Sequence, residues 1–115
     1  METRDGREKG GMDIPLEKCR KLEEIHFILG KRWMGPIVDT LRQRPAHFNE
    51  LSRVLDVSRR MLSARLKELV AIGVVERTEE NGTITYALTP SGEELGPSLD
   101  IMREWAIRHL DRMES

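Results

Sequence analysis

The feature that most constrains this chain is the segment from Leu51 to Ile72, whose pattern predicts two helices joined by a tight turn. Ser58 is placed to cap the second helix, because its side chain can accept N–H groups that the first turn leaves unpaired. Apolar residues then recur at spacings of three and four, which places them on one buried stripe. The stripe consists of Leu62, Leu66, Leu69 and Val70.

The opposite face of this second helix is cationic. At about 100° per residue, the side away from the leucines collects Arg60, Ser63, Ala64 and Lys67, with Arg59 in the exposed first turn. Long cationic side chains reach phosphates and guanine edges, and small residues allow close approach to the major groove. The face therefore predicts double-stranded DNA as the partner. The predicted contacts are Ser58, Arg59, Arg60, Ser63, Arg65 and Lys67.

The six predicted contacts do not all have the same role. Arg59, Arg60 and Ser63 are predicted to read bases, and Lys67 is predicted to bind phosphate. Arg65 lies on the flank of the buried stripe, where pairing with Glu50 or Glu68 competes with phosphate contact.

The charge distribution supports a DNA-binding segment although the formal net charge of the chain is only −1. Residues 52–67 contain five cations and one anion, a local charge of +4. The local distribution decides the electrostatic footprint more than the total does. A membrane protein is not indicated, because no apolar run approaches the roughly 20 residues that span a bilayer and the N-terminus lacks the apolar segment of a signal peptide.

The length of 115 residues predicts one domain over residues 14–115, preceded by a flexible tail over residues 1–13. The tail is polar, and Met12 is an alternative start. Cys19 is the single cysteine, which excludes an intrachain disulfide and favours a reducing cytoplasm. Hydrophobic residues make up 38% of the chain, so we expect a partner chain to cover part of the apolar surface.

Two helices are predicted before the helix-turn-helix. Leu16 to Leu29 follows Pro15 and has apolar residues at helical spacing. After Gly30, a second helix is predicted to contain Trp33, with Pro36 near its start, where the missing N–H costs least. A start at Lys31 would instead predict a kink at Pro36.

A short extended piece at His47-Phe48 follows, with Asn49 predicted to cap a helix from Glu50 to Leu55. Beyond the basic helix, Val74–Glu79 and Thr83–Leu88 predict two strands. Asn81-Gly82 joins them, and both positions tolerate the positive φ of a two-residue hairpin turn.

The last helix is predicted to begin at Pro90, with Thr89 as its cap, and to bend at Gly96-Pro97. The resulting fold is mainly α with a small β-hairpin, a winged helix-turn-helix with an additional helix at each end. The outer helices carry more apolar surface than a small domain needs, which predicts a homodimer on an inverted-repeat operator, with the basic helices about 34 Å apart. The predicted interface residues are Leu16, Leu22, Leu99, Met102, Trp105, Ala106 and Leu110, with Met113 on the same face.

Residues 16–113 resemble the HxlR-type, MarR-like winged helix-turn-helix transcriptional regulators of bacteria and archaea. The resemblance depends on several motifs that occur in a fixed order. They are Cys19, Leu29-Gly-Lys-Arg-Trp33, His47-Phe-Asn-Glu-Leu51, Val57-Ser-Arg-Arg-Met-Leu62, Arg65-Leu-Lys-Glu-Leu69, Gly73-Val-Val-Glu-Arg77, and Tyr86-Ala-Leu-Thr89 followed by Gly92.

The resemblance implies a homodimeric DNA-binding regulator that dimerises through its terminal helices and reads DNA with the helix that starts at Ser58. Two features depart from the family pattern. Arg20 follows Cys19 where the family usually has proline, and the hairpin tip Glu79-Glu-Asn-Gly82 is short and acidic. Because phosphate repels carboxylates, we expect no strong DNA contact from this tip.

Cys19 has two interpretations. Some members of the family respond to oxidants or electrophiles through a cysteine at this point, and nearby cations favour the reactive thiolate. Alternatively, Cys19 lies on the stripe of Leu16 and Leu22, where a thiol behaves as a small hydrophobe. The sequence also leaves open whether the protein responds to a small-molecule effector, and it identifies none.

No enzyme, cofactor or metal is predicted. The sequence contains no catalytic constellation, and His26, His47 and His109 share no metal-ligand spacing with Cys19. The alternative to a DNA-binding regulator is a winged-helix protein-interaction module that does not bind DNA. Its helix would have an apolar or acidic outer face, whereas this one is basic.

Overall fold

The structure, a computed structural model, describes residues 15–110. The chain divides into two compact units, one up to Lys31 and one from Arg32 onward, and each is described by itself. The predicted tail, the alternative start at Met12 and the position of Met113 lie outside the described residues. The assignment of residues 14–115 to one domain stays a prediction.

The first unit contains helix α1 (Leu16–Leu29), with the bounds that the sequence predicts. The helix begins directly after Pro15, whose carbonyl accepts the Cys19 N–H at 3.2 Å, and it ends where the Gly30 N–H donates to the His26 carbonyl at 2.9 Å. None of its residues is buried.

The second unit has the element order that the sequence predicts. After Trp33, whose φ of 79° is left-handed, α2 begins at Met34, so Trp33 precedes the helix that was predicted to contain it. Pro36 therefore lies in the first turn of α2, and the alternative start at Lys31 with a kink is wrong. The elements are α2 (Met34–Gln43), β1 (Ala46–His47), α3 (Phe48–Leu55), α4 (Arg59–Ala71), β2 (Val75–Glu80), β3 (Thr83–Leu88) and α5 (Pro90–His109).

The strands form one antiparallel sheet in the order β1-β3-β2. Val75 of β2 pairs with Leu88, and Ala46 of β1 pairs with Tyr86, so the predicted extended piece becomes a third strand beside the hairpin. The hairpin turn is confirmed, because Asn81 and Gly82 have φ values of 52° and 80°. Strand β2 lies one residue later than predicted.

The predicted cap of α3 is wrong. The helix begins at Phe48 with His47 in the capping position, and no side chain caps it. Asn49 is therefore inside the first turn, which leaves its side chain available to another partner. The predicted caps of the other two helices are confirmed: Ser58 Oγ accepts the Met61 N–H at 3.1 Å, and Thr89 Oγ1 accepts the Gly92 N–H at 3.1 Å.

The core of the second unit lies behind α4. Three of the four predicted stripe residues, Leu62, Leu66 and Leu69, are at most 1% exposed. The fourth, Val70, is 38% exposed, so its predicted burial is wrong. It lies about 80° around the helix from Leu62, at the edge of the stripe. The leucines pack in a core with Met34, Ile37, Val38, Leu41, Leu51 and Val75.

Helix α5 packs against α2 and β3 and continues through Pro97. Leu99 is only 8% exposed, so it belongs to the core, and its predicted place in a dimer interface is wrong. Its side of α5 already packs on the domain. The predicted bend at Gly96-Pro97 stays a prediction. None of the helices in the described part of the chain is long and apolar enough to cross a membrane.

Candidate nucleic-acid interface

The turn between α3 and α4 is fixed by hydrogen bonds. Asp56 adopts a left-handed conformation with φ 54°, which ends α3 and reverses the chain. The Val57 N–H donates to the Ser52 carbonyl at 3.3 Å, and the Ser52 hydroxyl donates to the Val57 carbonyl at 2.9 Å. These bonds give α4 a fixed starting point relative to α3, as a helix-turn-helix requires.

The outer face of α4 presents cations to solvent. Arg59, Arg60 and Lys67 are exposed, and Ser63 is half-buried on the same side. Ser58, also exposed, uses its side-chain oxygen as the helix cap, and its hydroxyl hydrogen remains a donor. The leucines on the opposite side hold this face outward. The structure thus places Arg60, Ser63 and Lys67 on one side of the helix, with Ser58 and Arg59 exposed at its N-terminal end.

Arg59 is oriented toward the start of α3. Its Nη1 donates to Asn49 Oδ1 at 2.5 Å, and its guanidinium carbon lies 4.8 Å from the centre of the Phe48 ring. Together with Arg53 and His47, it borders an open groove of about 550 Å³ that extends to the hairpin tip. Arg53 and Arg59 line this groove together with Glu50, and cationic side chains of this kind are common contacts of backbone phosphates.

Ser63 and Lys67 border a second open groove, of about 400 Å³, between α4 and the sheet. Its other walls include Val70, Tyr86 and Arg77, whose Nη2 lies 3.9 Å from Glu79 Oε1. The exposure of Val70 follows from this groove. Lys67 is exposed, and none of the ion pairs found in residues 15–110 involves it.

Arg65 differs from the other five predicted contacts. Its Nη1 donates to Glu68 Oε1 at 3.0 Å, and its Nε donates to the Arg32 carbonyl at 2.9 Å. Glu50, the other predicted partner, instead accepts from Arg44, and that hydrogen bond lowers the pKa of Glu50. The geometry therefore favours the structural alternative for Arg65.

The hairpin tip is as acidic in the structure as in the sequence. Glu76, Glu79 and Glu80 are exposed on β2, next to the turn at Asn81 and Gly82. Arg77 is the cation between them, and its ion pair with Glu79 weakens its attraction for a polyanion. The positive surface is therefore concentrated on α4.

The terminal helices expose apolar residues. Of the predicted interface residues, Leu16, Leu22, Met102, Trp105 and Leu110 are exposed, and Ala106 is half-buried. The sequence interpretation did not include Phe27, Ile101 and Ile107, each about two-thirds exposed or more. Phe27 could have been found, because it lies eleven residues, about three helical turns, after Leu16.

The remaining candidate residues are the single cysteine and the histidines. Cys19 is an exposed free thiol on α1. His47 Nδ1 lies 3.2 Å from the Ile84 carbonyl oxygen and 3.3 Å from Thr85 Oγ1, which holds its ring against β3. Within residues 15–110, no group of three or more His, Cys, Asp or Glu side chains could hold a metal ion.

The family model that describes the HxlR-like helix-turn-helix matches residues 28–114. Two regulators of Bacillus subtilis (strain 168) are similar to the chain. The uncharacterized HTH-type transcriptional regulator YvaP is 39% identical over 99 residues, which cover 83% of this chain and 92% of YvaP. The HTH-type transcriptional regulator YodB is 37% identical over 92 residues, which cover 76% of this chain and 82% of YodB.

Solved structures agree with this likeness. The quinone-bound YodB from B. subtilis has a TM-score of 0.72 and 36% identity, with 78% of this chain and 99% of that one covered. The redox regulator HypR in its reduced form has a TM-score of 0.71 and 30% identity, with 82% and 97% covered. The helix-turn-helix, the winged sheet and the sequence match agree. The chain belongs to the HxlR-like helix-turn-helix family, whose members are DNA-binding transcriptional regulators and not enzymes.

Proposed function

We propose that this regulator binds an inverted-repeat operator as a homodimer and places one α4 helix of each chain in the major groove. The observation that carries the proposal is the exposure of Arg60 and Lys67 on the side of α4 opposite three buried leucines, with Arg59 exposed in the first turn. Long cationic side chains on a rigid helix supply both phosphate contacts and guanine readout. Cytoplasmic localisation belongs to the same proposal.

The proposed contacts divide by position. Arg60 and Ser63 read base edges, since they lie on the outward side of α4. Lys67 binds phosphate. Arg59, which Asn49 and Phe48 hold toward α3, binds phosphate at the groove beside it and does not read a base. Arg65 stabilises the domain through Glu68 and the Arg32 carbonyl.

Dimerisation accounts for the exposed apolar residues of the terminal helices. A monomer that leaves Phe27, Ile101, Trp105 and Ile107 each at least 52% exposed keeps large apolar side chains in water. Exposed apolar side chains of this size, on the helix of each unit, favour an interaction site. A second copy of the chain is the proposed occupant, because a twofold dimer presents two equal α4 helices to the two halves of an inverted repeat.

Selection of bound fragments from random DNA by the purified protein tests the function. We expect enrichment of an inverted repeat with half-site centres about one helical turn, or about 34 Å, apart. A protein with Arg60 and Lys67 both replaced by Ala, carried through the same selection, is the control and should enrich no sequence. Failure of the unchanged protein to enrich any sequence would contradict base readout by α4.

A redox-sensing role for Cys19 is a second proposal, and the exposure of this thiol favours it. YodB and HypR, to which the chain is similar, have been described in reduced, diamide-treated or oxidised forms. With one cysteine per chain, a disulfide formed by diamide must join two chains.

DNA binding with and without diamide tests the sensor. We expect diamide to release the unchanged protein from the selected operator and to leave the Cys19→Ser protein bound. Equal responses of the two proteins would remove the thiol from the mechanism. A non-reducing gel reports whether the released protein carries the interchain disulfide.

A further inference from the structure

An ion-pair cluster joins α2 to α5. Arg42 Nη1 and Nη2 donate to Asp100 Oδ1 and Oδ2 at 2.8 and 3.0 Å, in a bidentate arrangement. Arg103 Nη1 donates to the same Oδ1 at 2.9 Å, and its Nη2 donates to Asp39. Arg42 Nη1 also lies 3.7 Å from Asp39 Oδ1. These four residues are called the α2–α5 cluster.

The α2–α5 cluster fixes the direction of α5 relative to α2 as well as the distance between the two helices. Two parallel N–H···O bonds between a planar guanidinium and a carboxylate hold both groups in one plane. The hydrogen bonds from Arg42 lower the pKa of Asp100 to about 2, with Arg103 acting in the same direction and partial burial opposing both. Asp100 is therefore ionised throughout the neutral range, and the attraction of its carboxylate to Arg42 and Arg103 is present there.

Gly96 makes room for this arrangement. A Cβ at this position would lie 2.4 Å from Arg42 Nε and 2.7 Å from Arg42 Cζ, so any larger residue displaces the guanidinium. Glycine inside a helix costs about 1 kcal/mol relative to alanine. Pro97 follows and lacks the N–H that would bond to the Glu93 carbonyl, which weakens the helix at the turn before Asp100. The cluster braces α5 where its own hydrogen bonding is weakest.

The cluster lies where α5 leaves the core. Leu99 is buried, whereas Ile101, Met102 and Trp105 are 68%, 50% and 52% exposed. Residues 101–109 of α5 and the C-cap residue Leu110 are together called the distal half of α5, and at 1.5 Å per residue they extend about 15 Å. A tilt of about 10° at Asp100 would move the far end by roughly 3 Å, which is close to the rise of one base pair, about 3.4 Å.

We propose that the α2–α5 cluster sets the direction in which the distal half of α5 leaves the core, and through it the half-site spacing that the dimer accepts. The inference rests on the proposed homodimer, which pairs through this distal half. Arg42, Asp100 and Gly96 are positioning residues, because they lie on α2 and α5 and act on DNA through the placement of α4.

The spacing preference of the protein tests the inference. Anisotropy titrations measure the affinity for the selected operator and for versions whose spacer is one or two base pairs longer or shorter. One base pair changes the separation by about 3.4 Å and the orientation by about 34°. We expect the unchanged protein to bind one spacing best.

Two variants weaken the brace by different routes. Arg42→Met removes the bidentate pair, and Gly96→Ala keeps every charge but displaces the guanidinium. We expect both to remain folded dimers, while their discrimination between the best spacing and its neighbours falls by roughly threefold to tenfold. Gly35→Ala and Arg44→Met are the matched controls. A Cβ at Gly35 meets nothing within 4 Å, and Arg44 pairs with Glu50 and not with α5.

The possible outcomes separate this inference from the proposed function. Reduced discrimination in both variants, with both controls unchanged, supports the inference. A sharp optimum that both variants share with the unchanged protein overturns the inference and leaves the dimeric function intact. An unchanged protein that binds one half-site as tightly as the repeat overturns the dimeric operator and this inference together. Sedimentation and thermal melting of each variant verify that it is folded and dimeric.

Discussion

Helix α4 and the distal half of α5 are both exposed, but they expose opposite kinds of side chain. The outer side of α4 presents Arg60 and Lys67, with Arg59 in the first turn, and leucines that are at most 1% exposed support it from behind. The distal half of α5 presents Ile101 and Trp105, with no comparable buried stripe of its own beyond Leu99 in the described residues.

The difference indicates two different partners. Exposed cations remain hydrated and cost little, and when they bind DNA phosphates the counterions condensed on the DNA are released to solution, which favours binding. Exposure of apolar side chains to water is unfavourable, so another apolar surface has to cover them. The first surface is suited to DNA and the second to protein. The predictions below test this distinction, from the largest expected effect to the smallest.

Replacement of Leu66 by Ala removes support from behind the cationic face. We expect the free energy of unfolding to fall by about 2–5 kcal/mol, because the side chain is buried and leaves a cavity. Urea denaturation measures the loss. Val70→Ala, on the same helix but 38% exposed, should cost less than about 1 kcal/mol. Equal losses at the two positions would contradict the assigned stripe.

Trp105→Ala tests the apolar surface. We expect the dimer to weaken by about 2–4 kcal/mol, the range of an interfacial tryptophan, with little change in the stability of each chain. Sedimentation equilibrium measures the dissociation constant. Leu99→Ala, six residues earlier and buried, should instead lower the free energy of unfolding. An unchanged dissociation constant of the Trp105→Ala dimer would exclude this surface from the interface.

Arg60→Ala tests base readout by α4. We expect the affinity for the selected operator to fall by about 1–3 kcal/mol, and the affinity for scrambled DNA to fall less. Competition titrations with both DNAs measure the difference. Arg65→Ala is the control. It should lower stability through the loss of Glu68 as a partner while the folded protein keeps its sequence preference. Equal losses on operator and scrambled DNA would assign Arg60 to phosphate.

The smallest effect concerns pH and the α2–α5 cluster. The folded-state pKa of Asp100, about 2, lies below its ordinary value of 3.8. The cluster therefore stabilises the folded protein above about pH 4, and this contribution is lost as the pH falls toward 2. We expect Asp100→Asn to be less stable than the unchanged protein at pH 5 and to lose less stability between pH 4 and pH 2.5. Urea denaturation measures the free energy of unfolding of both proteins at each pH. An equal fall of this free energy in the two proteins between pH 4 and pH 2.5 would contradict the role of the cluster.

The sequence predicted the parts of the fold that depend on local chemistry. Ser58 and Thr89 cap their helices, and Asn81-Gly82 forms the hairpin turn, because each role is determined by residues close in the chain. The leucine stripe and the cationic face of α4 follow from helical periodicity alone. The order of these elements predicted the winged helix-turn-helix, the family resemblance implied the same fold, and the sheet and the family match confirm it.

The sequence failed where distant residues decide the outcome. Leu99 has the spacing of the exposed face but packs in the core, because the first half of α5 lies against α2. Asn49 resembles a helix cap but binds Arg59, ten residues away. The Arg42–Asp100 pair joins residues 58 positions apart, and no local pattern marks it. The proposed DNA contacts stay predictions for the same reason, since their partner is another molecule.

The salt dependence of operator binding, compared between the unchanged protein and Lys67→Ala, tests most directly whether the exposed cations of α4 contact DNA. Loss of one phosphate contact per chain should make the slope of log K against log salt shallower by about two units for the dimer. Lys21→Ala, which removes an exposed cation from α1, should leave the slope unchanged. Identical slopes for the unchanged protein and Lys67→Ala would contradict DNA contact by this residue of α4.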